Sequence, residues 1–372
     1  MKIKNPFTPT FGIVPLHLAG RTEILSQMVS AFDNGVGDPN LSTILVGARG
    51  SGKTSLLSCI ATEAEQRGWV AVTVVASEGM LDDILQRTLE ASQGFLDVRP
   101  KRHLAGIEIA QILGIEWVLD QPAQGNWRTR MNALLDALNS QGIGLVICVD
   151  EVNVAVREMV RLASTYQLFI GEGKQVALVM AGLPKQTTEL IDSEEVSFLR
   201  RARQRRLGAV SDAEIARAFR ASVEDGGKAI GEAALQRAVE AVGGYPYMMQ
   251  LVGYCAWENS RDCAEITGEH VGRGIVEAKA EFRAGVLDST FREMSKGDRA
   301  FAKAMLAHAG GCTLAEVASA MGKPSNYASA YRRRLFDRGV ITERTDGALE
   351  FALPFLREYL AERLGEDVTP LL

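Results

Sequence analysis

Apolar residues fall along this chain in successive rhythms. "STILV" at residues 42–46 is short, β-branched and apolar, which predicts a strand. After a glycine-rich break, "SLLSCIATEAEQRG" sets Leu56, Leu57, Ile60 and Ala64 at helical spacing. The alternation continues. "WVAVTVVAS" from Trp69 to Ser77, Leu145 to Val149 in "GLVICVDE", and "QVALVMAGLP" from Gln175 to Pro184 are further apolar runs separated by helical patterns. Continuous apolar runs of this length suit parallel strands covered on both faces, so the expected class is α/β with a parallel sheet. Between them "HLAGIEIAQILGIEWVLD" at residues 103–120 alternates like a hairpin or a pair of edge strands, and "QPAQGNW" after it reads as a loop. No chemistry is assigned to this insert, residues 98–130.

From Ser211 the rhythm becomes helix after helix. "SDAEIARAF" opens with a capping box, Ser211 to Glu214, and later helices start at Gly231, Tyr245 and Thr267, giving a helical segment that ends near Leu287. Beyond Ser295 the grammar changes again. "GDRAFAKAMLAHA", "TLAEVASAMG" and "NYASAYRRRLFDRGVI" form three helices with the turn "KPS" between the last two, a helix-turn-helix layout. Asp346-Gly347 then marks a hairpin between two short alternating runs in "TERTDGALEFAL". Three helices and a β-wing make a winged-helix pattern. The boundaries expected are therefore 1–207 for the α/β part, 208–290 for the helical part and 291–372 for the winged helix.

A chain of 372 residues, 47% hydrophobic and 6% aromatic, is long enough for this division and suits globular cores. The formal net charge of -5 gives no global attraction to nucleic acid, so any contact with DNA needs a local basic patch. The five cysteines, Cys59, Cys148, Cys255, Cys263 and Cys312, are odd in number, lie mostly in apolar runs and form no CxxC pair, which points to reduced, buried thiols and a cytoplasmic location. Asn5-Pro6-Phe7-Thr8-Pro9 stands where a signal peptide needs an apolar core, and no apolar stretch reaches membrane-spanning length, so neither export nor a membrane partner is expected.

The break between the first strand and its helix carries the sharpest chemistry. Gly47, Ala48, Arg49, Gly50, Ser51, Gly52, Lys53, Thr54 and Ser55 set a glycine, four residues, then Gly-Lys-Thr between strand and helix. Backbone N–H groups of such a loop wrap an anion, and the helix N-terminus adds partial positive charge. Lys53 supplies a cation for the β- and γ-phosphates of ATP, and the Thr54 hydroxyl is a ligand for Mg²⁺. The apolar run ending in Asp150-Glu151 supplies the rest. Asp150 would hold Mg²⁺ through its water shell, and Glu151 would polarise the attacking water.

Phe7-Thr8-Pro9 with "LAGRTEIL", "GARGSGKTS", "VICVDE", "VMAGLP", "GGYPYMMQL" and the C-terminal segment resemble the AAA-type P-loop ATP-binding proteins allied to origin-recognition and STAND ATPases. The resemblance spans nearly the whole chain. It implies an ATPase core, a helical lid and a winged helix, with ATP or ADP as ligand. It also implies that the segment before the first strand closes over adenine, with Gly20, Arg21 and Glu23 in the matching positions. Gly244, Tyr245 and Pro246 match the Gly-x-Pro element that sets the lid over the base. Two departures stand out. Ala181-Gly182 end a strand that in such enzymes presents a polar γ-phosphate sensor, and the helix after Pro246 has no arginine at the second sensor position. Slow or triggered hydrolysis is expected. Arg200, Arg201, Arg203, Arg205 and Arg206, just beyond the core, are either a solvated basic face or a source of an arginine finger in a homo-oligomer.

On the third helix of the tail, Ser325, Asn326, Tyr327, Ser329, Tyr331, Arg332, Arg333 and Arg334 mix hydrogen-bonding, stacking and basic groups, and Arg344 sits on the wing. That mixture suits a helix entering a major groove, so double-stranded DNA is the expected partner. Asp337, Glu343, Asp346 and Glu350 dilute the patch, and a protein partner is the alternative.

Overall fold

In the computed structural model the described residues are 4–10, 12–93, 95, 98–100, 110–112, 126–344 and 346–365. They form two compact units, one of residues 21–46 and 53–206, the other of the described residues in 1–20, 47–52 and 207–372.

The first unit is a parallel α/β sheet. In chain order its elements are α1 (Thr22–Asn34), β1 (Ser42–Val46), α2 (Lys53–Glu65), β2 (Val70–Val75), α3 (Met80–Ser92), the short pair β3 (Val98–Pro100) and β4 (Ala110–Ile112), α4 (Trp127–Asn139), β5 (Leu145–Asp150), α5 (Arg157–Gly171), β6 (Val176–Gly182), α6 (Pro184–Asp192) and β7 (Arg203–Arg206). The sheet runs β2-β5-β6-β1-β7, every neighbouring pair parallel. All six residues of β5 and all seven of β6 are buried, which is why their sequences read as unbroken apolar runs. Tyr166 on α5 ties the sheet to its flanking helix. Its hydroxyl donates to the Leu41 carbonyl at 3.1 Å and lies 2.7 Å from Ser42 Oγ, and burial pushes its pKa up to about 12.

The five-stranded sheet holds one strand more than the four that hydrophobicity predicts. Arg203-Gln204-Arg205-Arg206, read from sequence as lying beyond the core, pairs with Thr43–Val46 as the edge strand β7. Arg205 donates to Gln27 and Asn40, so it is not a freely solvated side chain. Of the insert read as a hairpin within residues 103–120, β4 is described and pairs antiparallel with β3, which precedes that stretch. Residues 101–109 and 113–125 lie outside the described set. Trp127, read as the end of a loop, begins α4 and is buried, its Nε1–H donating to the Leu81 carbonyl at 2.6 Å.

The second unit is mostly helical, with α7 (Asp212–Asp225), β8 (Ala229–Ile230), α8 (Glu232–Val242), α9 (Pro246–Asn259), β9 (Glu265–Ile266) and α10 (Gly268–Phe282), followed by α11 (Asp288–Glu293), α12 (Lys296–Leu306), α13 (Leu314–Ala320), α14 (Ser325–Asp337), the antiparallel pair β10 (Ile341–Glu343) and β11 (Leu349–Phe351), and α15 (Leu356–Leu364). Ser211 and Glu214 form the capping box that the sequence predicts. The chain does not break at Leu287. A π-helical turn over Arg283–Leu287 joins α10 to α11, and one buried apolar cluster runs from Phe7 and Phe219 through Phe282 to Phe301 and Leu360. Phe7 belongs to that cluster, its ring centroid 4.9 Å from that of Phe219.

All five cysteines are free. Three are buried, whereas Cys59 is half-buried and Cys263 exposed, so the expectation of buried thiols fails at Cys263, in the "RDCAE" turn after α9. No helix among the described residues is long and apolar enough to cross a membrane.

Candidate nucleotide site

The strand β1 ends at Val46, and seven residues later Lys53 begins α2. Gly50 and Gly52 turn the intervening loop with φ of 72° and 87°, values that suit glycine and that a side chain would strain. Lys53, Thr54 and Ser55 form the first turn of α2, where helical N–H groups have no partner within the helix and the macrodipole favours an anion. The loop and the helix start thus carry the donors that a phosphate group requires.

Asp150 is the last residue of β5, and only 7% of it is exposed. Three bonds hold it. Its carbonyl accepts from Ala76 N at 3.0 Å, Oδ1 accepts from Glu151 N at 2.8 Å, and Oδ2 accepts from Thr54 Oγ1 at 2.6 Å. A hydroxyl and a carboxylate set against each other are hard oxygen donors, the pair a Mg²⁺ ion takes from protein when phosphate and water supply the remaining ligands. Among the described residues no cluster of three acidic, histidine or cysteine ligands exists.

Glu151 has φ of 53°, one of two non-glycine residues among those described with positive φ. Such a conformation costs roughly 1–2 kcal/mol. The following residue is fixed, because Val152 N donates to the Ala181 carbonyl at 2.9 Å. Glu151, the first residue after β5, is itself exposed. Strain of this kind persists where surrounding structure over-determines it, and it clusters at reacting sites.

One of the two departures noted in the sequence coincides with close packing. A Cβ added to Gly182 would meet Val152 Cγ2 at 2.6 Å and Thr187 Cγ2 at 3.0 Å, so a side chain there would require its neighbours to shift. The Thr187 hydroxyl donates to the Leu183 and Pro184 carbonyls at 3.0 Å each. The α9 sequence PYMMQLVGYCAWEN has no arginine. Arg21 caps the start of α1 and is buried. Pro246 is the first residue of α9, its Cβ 3.9 Å from where a Cβ on Gly52 would stand.

Sequence reasoning missed several neighbours of the loop. The Tyr245 hydroxyl donates to the Arg49 carbonyl. Gly339, in the turn between α14 and β10, lies against Ala48, and Arg49 Nη1 is 3.4 Å from Glu293 Oε1. A glycine after a helix and an acid at a helix end are too common in sequences for either to announce such a contact.

In the tail, Ser325, Asn326, Tyr327, Ser329 and Arg333 share an exposed stretch of α14. Arg333 is the most open of the basic candidates, with 78% of its side chain exposed and only Asp337 at 3.9 Å. Arg332 is less open, since it is paired with Glu343 of β10 and 33% of its side chain is exposed. Arg344 is held by Asp346 at 3.1 Å and Glu350 at 3.2 Å. Arg334 turns inward to the fully buried Asp298, with Nε 2.7 Å from Oδ1, because a carboxylate in an apolar core must be paired. Tyr331 donates its hydroxyl to that of Tyr327 at 3.0 Å.

Residues 17–242 match the family model of the AAA ATPase domain, more than half of the chain. The chain belongs to the AAA ATPase domain family. Within this AAA ATPase domain lie the loop of residues 47–52, Lys53, Thr54, Asp150 and Glu151. Residues 284–360 match a second model, a domain of unknown function. Two solved structures share the fold over nearly the full length. The Walker-type ATPase of Pyrococcus abyssi is 14% identical with a TM-score of 0.67, covering 92% of this chain and 96% of its own. The Aeropyrum pernix ORC2 protein, solved as ADPNP–ADP complexes, is 13% identical with a TM-score of 0.51, covering 95% of each chain. No curated protein matches the chain.

Proposed function

We propose that this AAA ATPase hydrolyses ATP and that the nucleotide state of its phosphate loop governs a C-terminal winged helix that binds double-stranded DNA. The functional parts would be a core over residues 1–207, a lid over 208–290 and a winged helix over 291–372. Lys53 would hold the β- and γ-phosphates. Thr54 and Asp150 would hold Mg²⁺, which when bound neutralises charge on the phosphate oxygens. Glu151 would orient and polarise the attacking water. With no polar sensor at Gly182 and no arginine in α9, turnover would be slow until a further cation arrives, for which an arginine of β7 in a neighbouring copy is one source. Free thiols suit a cytoplasmic protein.

One observation carries the link from nucleotide to tail: Ala48 and Arg49 of the loop touch Gly339 and Glu293 of the tail. The ion pair is solvent-exposed and contributes little by itself. The close packing of Gly339 on Ala48 is the stronger element, since a shift of either toward the other is blocked. A ligand that favours one loop conformation would therefore bias the tail by its differential affinity.

A second reading, in which the tail binds a protein, draws on the acid partners of Arg332 and Arg344, which offset part of the positive charge that DNA requires. The deciding measurement is retention of duplex DNA across a salt series, with and without ATP, beside ATP turnover and a Lys53→Ala control. Salt-sensitive retention that changes with ATP is expected. Turnover without any retention at low salt would discard the DNA reading in favour of the protein partner, and turnover equal to that of Lys53→Ala would discard the ATPase.

A further inference from the structure

Tyr245 sits at the N-cap of α9 with little freedom. It is 7% exposed, its backbone N donates to the Val242 carbonyl at 3.1 Å, Pro246 follows it, and its ring packs edge-on against Phe282 with centroids 5.6 Å apart. From this fixed position the hydroxyl reaches the Arg49 carbonyl. The ring also covers Gly50 so closely that an added Cβ would lie 2.8 Å from Tyr245 Cζ and 3.0 Å from Cε1.

A trans peptide group points its C=O and its N–H in opposite directions. The described chain has no cis peptide bond, so holding the Arg49 carbonyl on the tyrosine turns the Gly50 N–H to the opposite side of the loop. No backbone acceptor is found for that N–H among the described residues, and Gly50 has φ of 72°, the left-handed value with which successive N–H groups build an anion-binding concavity.

We infer that Tyr245 is a positioning residue for the phosphate loop: by pinning the Arg49 carbonyl it presents the Gly50 N–H to a phosphate oxygen of the nucleotide. This rests on the ATP-binding reading above. It differs from the role implied by the Gly-x-Pro resemblance, in which the segment addresses the base. Tyrosine satisfies the requirement because it brings a donor at the far end of a rigid ring, so the carbonyl is held without a solvated side chain entering the loop.

The test is Tyr245→Phe, which keeps the ring and removes the hydroxyl, assayed by calorimetric titration with ATP, inorganic tripolyphosphate and adenosine. Loss of one neutral hydrogen bond should weaken ATP and tripolyphosphate binding about 3- to 10-fold. Adenosine affinity should stay unchanged, a selectivity that general loosening of the lid would not give. Gly50→Ala reaches the same peptide from the other side by driving a methyl into the phenol, and the same selective loss is expected. Equal loss for adenosine and tripolyphosphate, or tripolyphosphate binding by Tyr245→Phe equal to that of the parent, would overturn the role. If the parent binds tripolyphosphate no better than Lys53→Ala does, the nucleotide reading itself fails, an outcome separable from the failure of Tyr245.

Discussion

Gly339 packs on Ala48 so closely that a Cβ added to it would stand 2.6 Å from the Ala48 Cβ and 3.1 Å from its Cα. Since Gly339 also has φ of 67°, an alanine there meets both a steric and a conformational penalty. Overpacking of this kind typically costs about 1–3 kcal/mol. We expect Gly339→Ala to lower the melting midpoint and to weaken ATP binding. Adding Ala48→Gly should recover the steric part and leave the conformational part, a non-additivity readable in a double-mutant cycle. Additive effects would separate the tail turn from the loop.

Glu151→Gln should bind ATP as the parent does and turn over about 10²–10⁴-fold more slowly, because the amide keeps the shape but cannot take up a proton. Single-turnover hydrolysis beside equilibrium ATP binding checks this. Turnover equal to that of the parent would move the water-polarising role away from Glu151.

Arg332 and Arg333 differ in surroundings, so their alanine variants should differ in effect. Arg333→Ala should weaken duplex retention and make the log-log salt slope shallower by about 0.9, the increment that one phosphate neutralised by a cationic side chain adds. Arg332→Ala should change the slope less, because its guanidinium already pairs with Glu343. Salt titrations of both variants, with circular dichroism to verify folding, decide the point. A steeper loss for Arg332→Ala would mean that DNA displaces Glu343.

Burial pushes the thiols of Cys148, Cys255 and Cys312 up to about 12, 11 and 11. A folded pKa above the ordinary 9.0 favours the neutral thiol, so this contribution to stability is complete below pH 9 and is lost as pH rises through those values. At pH 8 a thiol reagent should label Cys263 fast, Cys59 more slowly and the other three only after denaturation. Melting midpoints should begin to fall above about pH 9. Rapid labelling of all five native thiols would contradict the buried environments.

The parts of this fold legible in sequence are those in which one segment carries its own signal. β5 and β6 are buried on both faces and therefore read as unbroken apolar runs. Asp346-Gly347 announces its hairpin because the turn needs a residue such as Gly347, with φ of 84°. The phosphate loop is legible because glycine spacing, lysine and threonine must all come from one stretch of chain. Strand β7 is not, since Arg203–Arg206 holds no apolar residue and is set as a strand by pairing with β1. The bond from Tyr245 to Arg49 joins positions 196 apart, and periodicity reports which face of a helix is buried but not what lies against it. The pairing of Arg332 with Glu343 is hidden for the same reason: both charges can be counted in sequence, but their meeting cannot.

The arginine strand bears on how the protein behaves in concentrated solution. An open sheet edge invites a second copy to add its own strand, and an edge of this kind is a common start of aggregation. At β7 two copies meeting edge to edge would bring the exposed Arg203 and Arg206 of each copy near those of the other, and like charges at close range oppose the docking. Repulsion of this kind would oppose growth of the sheet at the β7 edge. Screening shortens that repulsion, the Debye length falling from about 8 Å at physiological ionic strength to about 3 Å at 1 M. Self-association at this edge should accordingly increase with added salt, the opposite of the trend for binding to a polyanion.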